Sequence, residues 1–334
     1  MIKELSESAR VAGKVLAHAS RETKDAAIEA IAAALLQREN EILAANSEDV
    51  QRSREEGISE SLIDRLTLTA PRIAGIAGGA RKIKALPDPV GLTKRERTLP
   101  NGLHLKQVTV PFGVVGMVYE ARPNVTVDAA VILLKSGNCA LLRGSSSAKR
   151  SNEVLVSIMR DAVASVGLPA NVIQLVPSTD RASVTELLHA RGFVDLVIPR
   201  GSAALIRTVV DEAKVPTIET GAGVCHVYVD KDGDLTKALP ILINSKVQRP
   251  SVCNAAETLL IHKDIANTFL PVALTALHEE KVVIHGDAQT IAAASSLGIP
   301  AKLAEEENWS TEYGVLEMNV RVVDDVNDAA NHIR

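Results

Sequence analysis

The sequence predicts an α/β protein built on parallel sheets, in two such units, with one projecting β-hairpin. Three observations carry this. From Gly113 onward, short apolar runs rich in Val, Ile and Leu alternate with stretches of helical period, the pattern of strands buried on both faces between helices. A second alternating unit begins after Lys237. Ahead of both, residues 93–110 alternate in polarity around Pro100-Asn101-Gly102, and Asn-Gly between alternating arms is a strong hairpin signal. At 334 residues the chain is also too long for one small core.

Residues 1–50 read as helices, because Ile28, Ile31, Leu35 and Ile42 recur at helical spacing while Glu29, Gln37, Arg38 and Glu39 take other faces. Residues 51–86 read as helical again, broken by Gly57 and Pro71, and Pro87-Asp88-Pro89 ends that region. The hairpin has exposed edges, which predicts cover from a partner chain. In the first alternating unit, strands are expected over 113–119, 139–142, 172–176, 194–198 and 224–229, with helices over 125–134, 148–166, 181–190 and 203–213. Gly167 and Pro169 form a C-terminal stop for the second of those helices. In the second unit, strands are expected over 258–261, 282–284 and 320–323, with helices over 238–246, 265–277, 289–297 and 326–334. The last helix lacks a C-cap glycine, so a longer natural chain is expected.

No apolar stretch approaches the roughly 18 residues of a membrane span. The N-terminus, Met1-Ile-Lys-Glu-Leu-Ser-Glu-Ser, mixes charges and lacks the apolar core of a secretory leader. The three cysteines include no short-spaced pair, which fits a reducing cytosol and argues against a disulfide framework or zinc site. With net charge −4 and no basic tail, nucleic acid is not an expected partner.

Cys253 stands apart from the other two cysteines. It follows an Arg-Pro pair in Gln248-Arg-Pro-Ser-Val-Cys-Asn254, on a turn before the apolar run Thr258-Leu-Leu-Ile261. A cysteine near a cation and outside an apolar run is where a thiolate can form. Cys139 opens an apolar run and Cys225 sits in a strand, both settings of a small hydrophobe. Ligands of parallel sheets bind at the strands' carboxyl ends. There, Leu142-Arg-Gly-Ser-Ser-Ser147 and Pro199-Arg-Gly-Ser202 each feed a helix. Such a turn offers free N–H groups to a phosphate, and Arg143 and Arg200 add charge. Plain turn and cap roles for the same glycines and serines stay open. No Gly-x-Gly-x-x-Gly fingerprint appears at either place.

Together with Val110-Pro-Phe-Gly-Val114, Glu120-Ala-Arg-Pro-Asn-Val-Thr-Val-Asp128, Lys135-Ser-Gly-Asn138, Val197-Ile-Pro-Arg-Gly-Ser202 and Gly223-Val-Cys-His-Val-Tyr-Val-Asp230, these motifs resemble the gamma-glutamyl phosphate reductases of the aldehyde dehydrogenase superfamily. The resemblance implies an aldehyde dehydrogenase-like fold with two Rossmann-like domains. Residues 1–247 would bind NADPH and carry an oligomerisation hairpin at about 93–110. Residues 248–334 would be a catalytic domain incomplete at its C-terminal end. It implies reduction of L-glutamyl 5-phosphate to L-glutamate 5-semialdehyde and phosphate through a cysteine thioester, in cytoplasmic proline biosynthesis. It further implies a homo-oligomer, dimer or tetramer, and a glutamate 5-kinase partner that delivers the labile substrate.

Residue by residue, Cys253 matches the nucleophile and Asn124 the amide of the oxyanion hole, with a helix N-cap as the plain alternative for Asn124. Arg143, Gly144, Ser145, Arg200, Gly201 and Ser202 match the cofactor-phosphate turns, with Lys149 beside them. Glu312 falls where the superfamily contacts the nicotinamide ribose; an exposed turn acid is the alternative. Glu219 precedes Cys253 by the interval of the general base in hydrolysing aldehyde dehydrogenases, but the following Thr220-Gly-Ala-Gly223 departs from their motif. A strand-end acid on the cofactor side is the plain reading of Glu219. His226 and Arg249 are candidates for substrate phosphate, against a core histidine and a surface arginine. The rival readings are an oxidising aldehyde dehydrogenase, favoured by Glu219, and an inactive fragment used for binding or assembly.

Overall fold

The structure is a computed structural model that describes residues 1–218 and 223–334, without the side chains of Ser61 and Ala203. It comprises two compact units, Met1–Thr220 and Gly221–Arg334.

The first unit opens with five helices, α1 (Ile2–Leu16), α2 (Arg21–Gln37), α3 (Glu39–Glu55), α4 (Glu60–Leu66) and α5 (Ala70–Ala85). Ala27, Ile28, Ile31, Ala32 and Leu35 form the buried stripe of α2. Pro71 does not break a helix. It lies in the first turn of α5, just after Thr69 has capped the helix by accepting from Arg72 N, where a missing N–H costs nothing. The hairpin strands β1 (Thr93–Thr98) and β2 (His104–Val108) pair antiparallel, with every residue exposed. Gly102, at φ +83°, makes the turn that only glycine takes without strain.

A four-stranded parallel sheet follows, in the order β5-β4-β3-β6: β3 (Val114–Tyr119), β4 (Cys139–Arg143), β5 (Ile173–Leu175) and β6 (Leu196–Arg200). Every residue of β3 and β4 is buried, and because successive side chains face opposite ways, both sheet faces are covered. The connecting helices are α6 (Pro123–Lys135), α7 (Lys149–Ser165) and α8 (Arg181–Leu188), with α9 (Ala203–Glu212) after β6. Strand order reverses between β3 and β6, so the carboxyl ends of these two strands flank a topological switch point, the usual ligand crevice of such sheets.

The second unit holds a five-stranded, all-parallel sheet in the order β10-β9-β11-β8-β7. Its elements are β7 (Cys225–Val229), α10 (Leu235–Val247), β8 (Ala256–His262), α11 (Lys263–Glu279), β9 (Val283–Gly286), α12 (Ala288–Ser296), β10 (Ala301–Leu303), β11 (Glu317–Val323) and α13 (Val326–Ile333). The compact unit begins well before the expected domain start at 248, because β7 pairs with β8 and carries α10 with it. Among the described residues no helix is long and apolar enough to cross a membrane.

Candidate active site

In the second unit the turn 248–255, between α10 and β8, carries Cys253, and its residue is exposed. The turn is gripped from the side by β7. The Cys225 thiol lies 3.5 Å from the Cys253 carbonyl, and a Cβ on Gly223 would come within 2.6 Å of that same oxygen. Only glycine fits at 223. The Gly223 N–H donates to Glu312 Oε2 at 3.2 Å, which ties the exposed Glu312 to the margin of the cysteine turn. The other thiols are chemically dull. Cys139 is buried, donates to Ala9 O at 3.2 Å, and is pushed up to about 12 by burial. Cys225 is half-buried, and burial first, then the neighbouring Cys253, Glu257 and Glu312, push its thiol up. Of the three, Cys253 alone is exposed.

Arg249 is exposed on the same turn, its carbonyl accepting from Val252 N at 3.3 Å. His226 does not point its chemistry outward. Its Nδ1 lies 2.6 Å from Val224 O, and its ring meets His332 edge-on at 5.3 Å. Trp309 meets His332 at the same centroid distance, 5.3 Å, and Arg321 Nη1 donates to His332 Nδ1 at 2.9 Å. The Nε2 atoms of both histidines are buried with no hydrogen-bond partner among the described residues. Burial lowers the pKa of each, and for His332 the Arg321 and His226 charges add to it against Asp328 and Glu306. Both rings therefore bind a proton less readily in the fold than in the unfolded chain, where they protonate near their ordinary value of 6.5. The unfolded state binds more protons below that value, so acid destabilises this unit. Fluorescence of Trp309, the chain's sole tryptophan, should show the urea midpoint falling between about pH 7 and 5, and less steeply in His226→Phe.

In the first unit the two glycine turns are built differently. Gly144 follows β4 directly, and a Cβ there would lie 2.2 Å from Asn152 Nδ2, so the backbone needs glycine. Ser145 and Ser147 hydroxyls are 2.7 Å apart, and Lys149 opens α7, exposed. Gly144, Ser145, Lys149, Asn152, Val176 and Thr179 line one small crevice. Arg143 departs from the expectation of an outward guanidinium: it is buried, donating to Thr179 O at 2.6 Å, Asp180 O at 3.0 Å and Ser183 Oγ at 3.2 Å. Its charge braces the loop before α8.

At the second turn, Ser202 caps α9 by accepting from Leu205 N at 3.4 Å. Its own N–H and hydroxyl donate to Glu120 Oε2 at 3.0 Å and Oε1 at 2.7 Å. A Cβ on Gly201 would lie 2.7 Å from the Glu120 carboxyl carbon. Glu120 is brought there by backbone pairing, its N–H donating to Arg200 O at 3.2 Å. A carboxylate thus already sits on the α9 N-terminus, a role the sequence reading passed over although Glu120 opens one of its motifs. Asn124 lies inside the first turn of α6, so the alternative of an N-cap is set aside; Arg122 holds that position. Its amide donates to Asp128 Oδ2 at 3.1 Å, one turn on, and burial raises the Asp128 carboxyl against that bond. Glu219 lies outside the described residues.

The model of the aldehyde dehydrogenase family matches residues 1–295. A gamma-glutamyl phosphate reductase from Thermobifida fusca is 55% identical over 333 residues, covering 100% of this chain and 79% of the relative. The crystal structure of a gamma-glutamyl phosphate reductase from Thermotoga maritima matches with a TM-score of 0.91 at 42% identity, covering 99% of this chain and 79% of that one. The corresponding structure from Saccharomyces cerevisiae matches with a TM-score of 0.61 at 31% identity, covering 99% and 82%. The protein is therefore an oxidoreductase of the aldehyde dehydrogenase superfamily. Within that superfamily the chain belongs to the gamma-glutamyl phosphate reductases.

Proposed function

We propose that the protein reduces L-glutamyl 5-phosphate to L-glutamate 5-semialdehyde and phosphate with NADPH, through a thioester on Cys253, in proline biosynthesis. The observation that carries this is the exposed Cys253 thiol on a braced turn, in a chain 55% identical to a gamma-glutamyl phosphate reductase. The thiolate attacks the acyl carbon, and phosphate leaves with the electrons of the carbon–oxygen bond. To Asn124 we assign, on the family resemblance, an amide donor to the oxyanion of that adduct, with Asp128 holding the amide's orientation. A dinucleotide phosphate fits the residues present at the end of β4, where Gly144, Ser145 and Lys149 line a small crevice at the start of α7. When bound, NADPH supplies the hydride that takes the thioester to the aldehyde level. Lys149, Ser145 and Arg200 are assigned to its phosphates, Ser202 to the same role once Glu120 releases its N–H and hydroxyl, Glu312 to its ribose, and Arg249 to the substrate phosphate. His226, packed against His332, is assigned to shaping that end of the sheet. Glu219 has no water to activate in this reaction, because hydrolysis would destroy the thioester. The exposed hairpin β1–β2 supports a homo-oligomer, and a labile acyl phosphate would be delivered by a glutamate 5-kinase.

The decisive assay runs the reaction backward, from glutamate 5-semialdehyde and NADP⁺. NADPH formation should depend on added phosphate and yield an acyl phosphate. Oxidation to the free acid without phosphate would instead establish the oxidising aldehyde dehydrogenase. Asn124→Ala should lower kcat by about a hundredfold, the usual cost of one oxyanion donor, with the urea midpoint little changed. An unchanged kcat would remove Asn124 from the chemistry.

A further inference from the structure

A buried ion pair closes the base of the cysteine turn. Lys246 lies in the last turn of α10 and Glu257 is the second residue of β8, so they stand immediately before and after the segment that carries Cys253. Lys246 Nζ and Glu257 Oε2 are 2.6 Å apart, and their side chains are 0% and 1% exposed. Burying two charges is costly, and an apolar pair of like volume commonly serves stability as well or better. What an apolar pair could not do is supply the second oxygen.

Glu257 Oε1 accepts from Gly314 N at 3.3 Å. Gly314, at φ +64°, turns the chain into β11 two residues after Glu312. Glu312 in turn accepts from Gly223 N at 3.2 Å, and Gly223 abuts the Cys253 carbonyl. The contacts therefore run from Lys246 through Glu257, Gly314, Glu312 and Gly223 and return to the cysteine turn. Tyr313 anchors the same segment by donating to Asn319 Oδ1 at 2.8 Å.

We propose that Glu257 is a positioning residue, a clamp seated by Lys246 whose second side-chain oxygen, by accepting from Gly314 N, fixes the Glu312 turn relative to the Cys253 turn. The role rests on Cys253 being the nucleophile. It sets the thiol's direction through backbone held on both sides, without either charged group touching substrate.

The test compares two double variants in the full chain. Lys246→Met/Glu257→Leu conserves volume and removes the acceptor for Gly314. Lys246→Met/Glu257→Gln keeps an amide oxygen for it. The first should retain its urea midpoint yet lose at least tenfold in kcat, with KM for phosphate little moved, and its Cys253 should react with iodoacetamide at a rate changed severalfold. The second should recover most of the kcat. A Met/Leu variant with native kcat and native labelling overturns the clamp, as does a folded Met/Gln variant as slow as Met/Leu. Should Met/Leu fail to fold, Met/Gln decides: near-native kcat supports the clamp and a tenfold loss overturns it. Turnover surviving in Cys253→Ser would instead defeat the assignment of the nucleophile, and iodoacetamide labelling of Cys253 in the two double variants then judges the clamp separately.

Discussion

Cys253→Ser should reduce phosphate-dependent turnover by on the order of a thousandfold or more while leaving the fold intact. A hydroxyl is ionised far less readily than a thiol, so the attacking species all but disappears. An oxygen ester at the same position would also accept hydride less readily than a thioester, so both halves of the reaction suffer. The residue is exposed, and its turn is held by neighbours that touch the backbone: Cys225 and Gly223 both meet the Cys253 carbonyl. Stability should therefore change by no more than about 0.5 kcal/mol, as at other surface positions. Cys139→Ser makes the opposing control. That sulfur is buried between α1 and β4, so a serine there should lower the urea midpoint and leave Cys253 as the site labelled by iodoacetamide. Full turnover in Cys253→Ser, measured in the reverse assay, would defeat the thioester mechanism.

The parts of the molecule that were legible in the sequence share a property: their composition reports their surroundings locally. Strands β3 and β4 are buried at every position, so they had to be written in continuous apolar residues. The exposed turn position of Cys253 was legible because turn chemistry is a one-dimensional signal. Strand β10, Ala-Lys-Leu on a sheet edge, is three residues long and mostly exposed, which leaves no pattern to read. The unit boundary was misplaced for a related reason. Residues 225–229 have the composition of any buried strand, and only the non-local pairing of β7 with β8 assigns them to the second sheet. Arg143 was placed correctly in sequence and misread in direction, since nothing local announces that residues 179–183 receive its guanidinium. Asp49, Glu120, Lys246 and Glu257 are charged residues whose burial, or whose partner elsewhere along the chain, makes them structural, and neither is announced locally. Asn124 and Asp128, four apart on one helix, were open to a spacing argument.

Asp49 carries the largest stability effect expected outside the chemistry. Helix α7 has no capping side chain of its own. Asp49, fully buried on α3, does that work from a distance: Oδ2 accepts from Ser151 N at 2.7 Å and Ser151 Oγ at 2.8 Å, and Oδ1 accepts from Arg150 N at 3.3 Å. The carboxylate thus satisfies first-turn N–H groups and complements the positive end of the helix. Oδ1 also accepts from Arg52 Nη2 at 2.5 Å, and that guanidinium reaches on to Ser146 O at 3.0 Å and Ser147 O at 3.3 Å. One side chain therefore anchors both the start of α7 and the serine turn that precedes it. In Asp49→Ala the buried donors lose their acceptor together, and the cost should be about 3–5 kcal/mol, the range for breaking a buried charged contact by removing one partner. Asp49→Asn keeps one acceptor oxygen and should cost about half as much. Because the chain holds two compact units, far-UV circular dichroism in urea should resolve the loss in the first transition to unfold, with the Trp309 signal of the second unit little affected. The same substitution frees the turn bearing Ser145 and Lys149, so NADPH affinity should fall severalfold in conditions where the variant is still folded. An alanine variant with a native midpoint and native NADPH affinity would show that α3 is a passive neighbour of the turn.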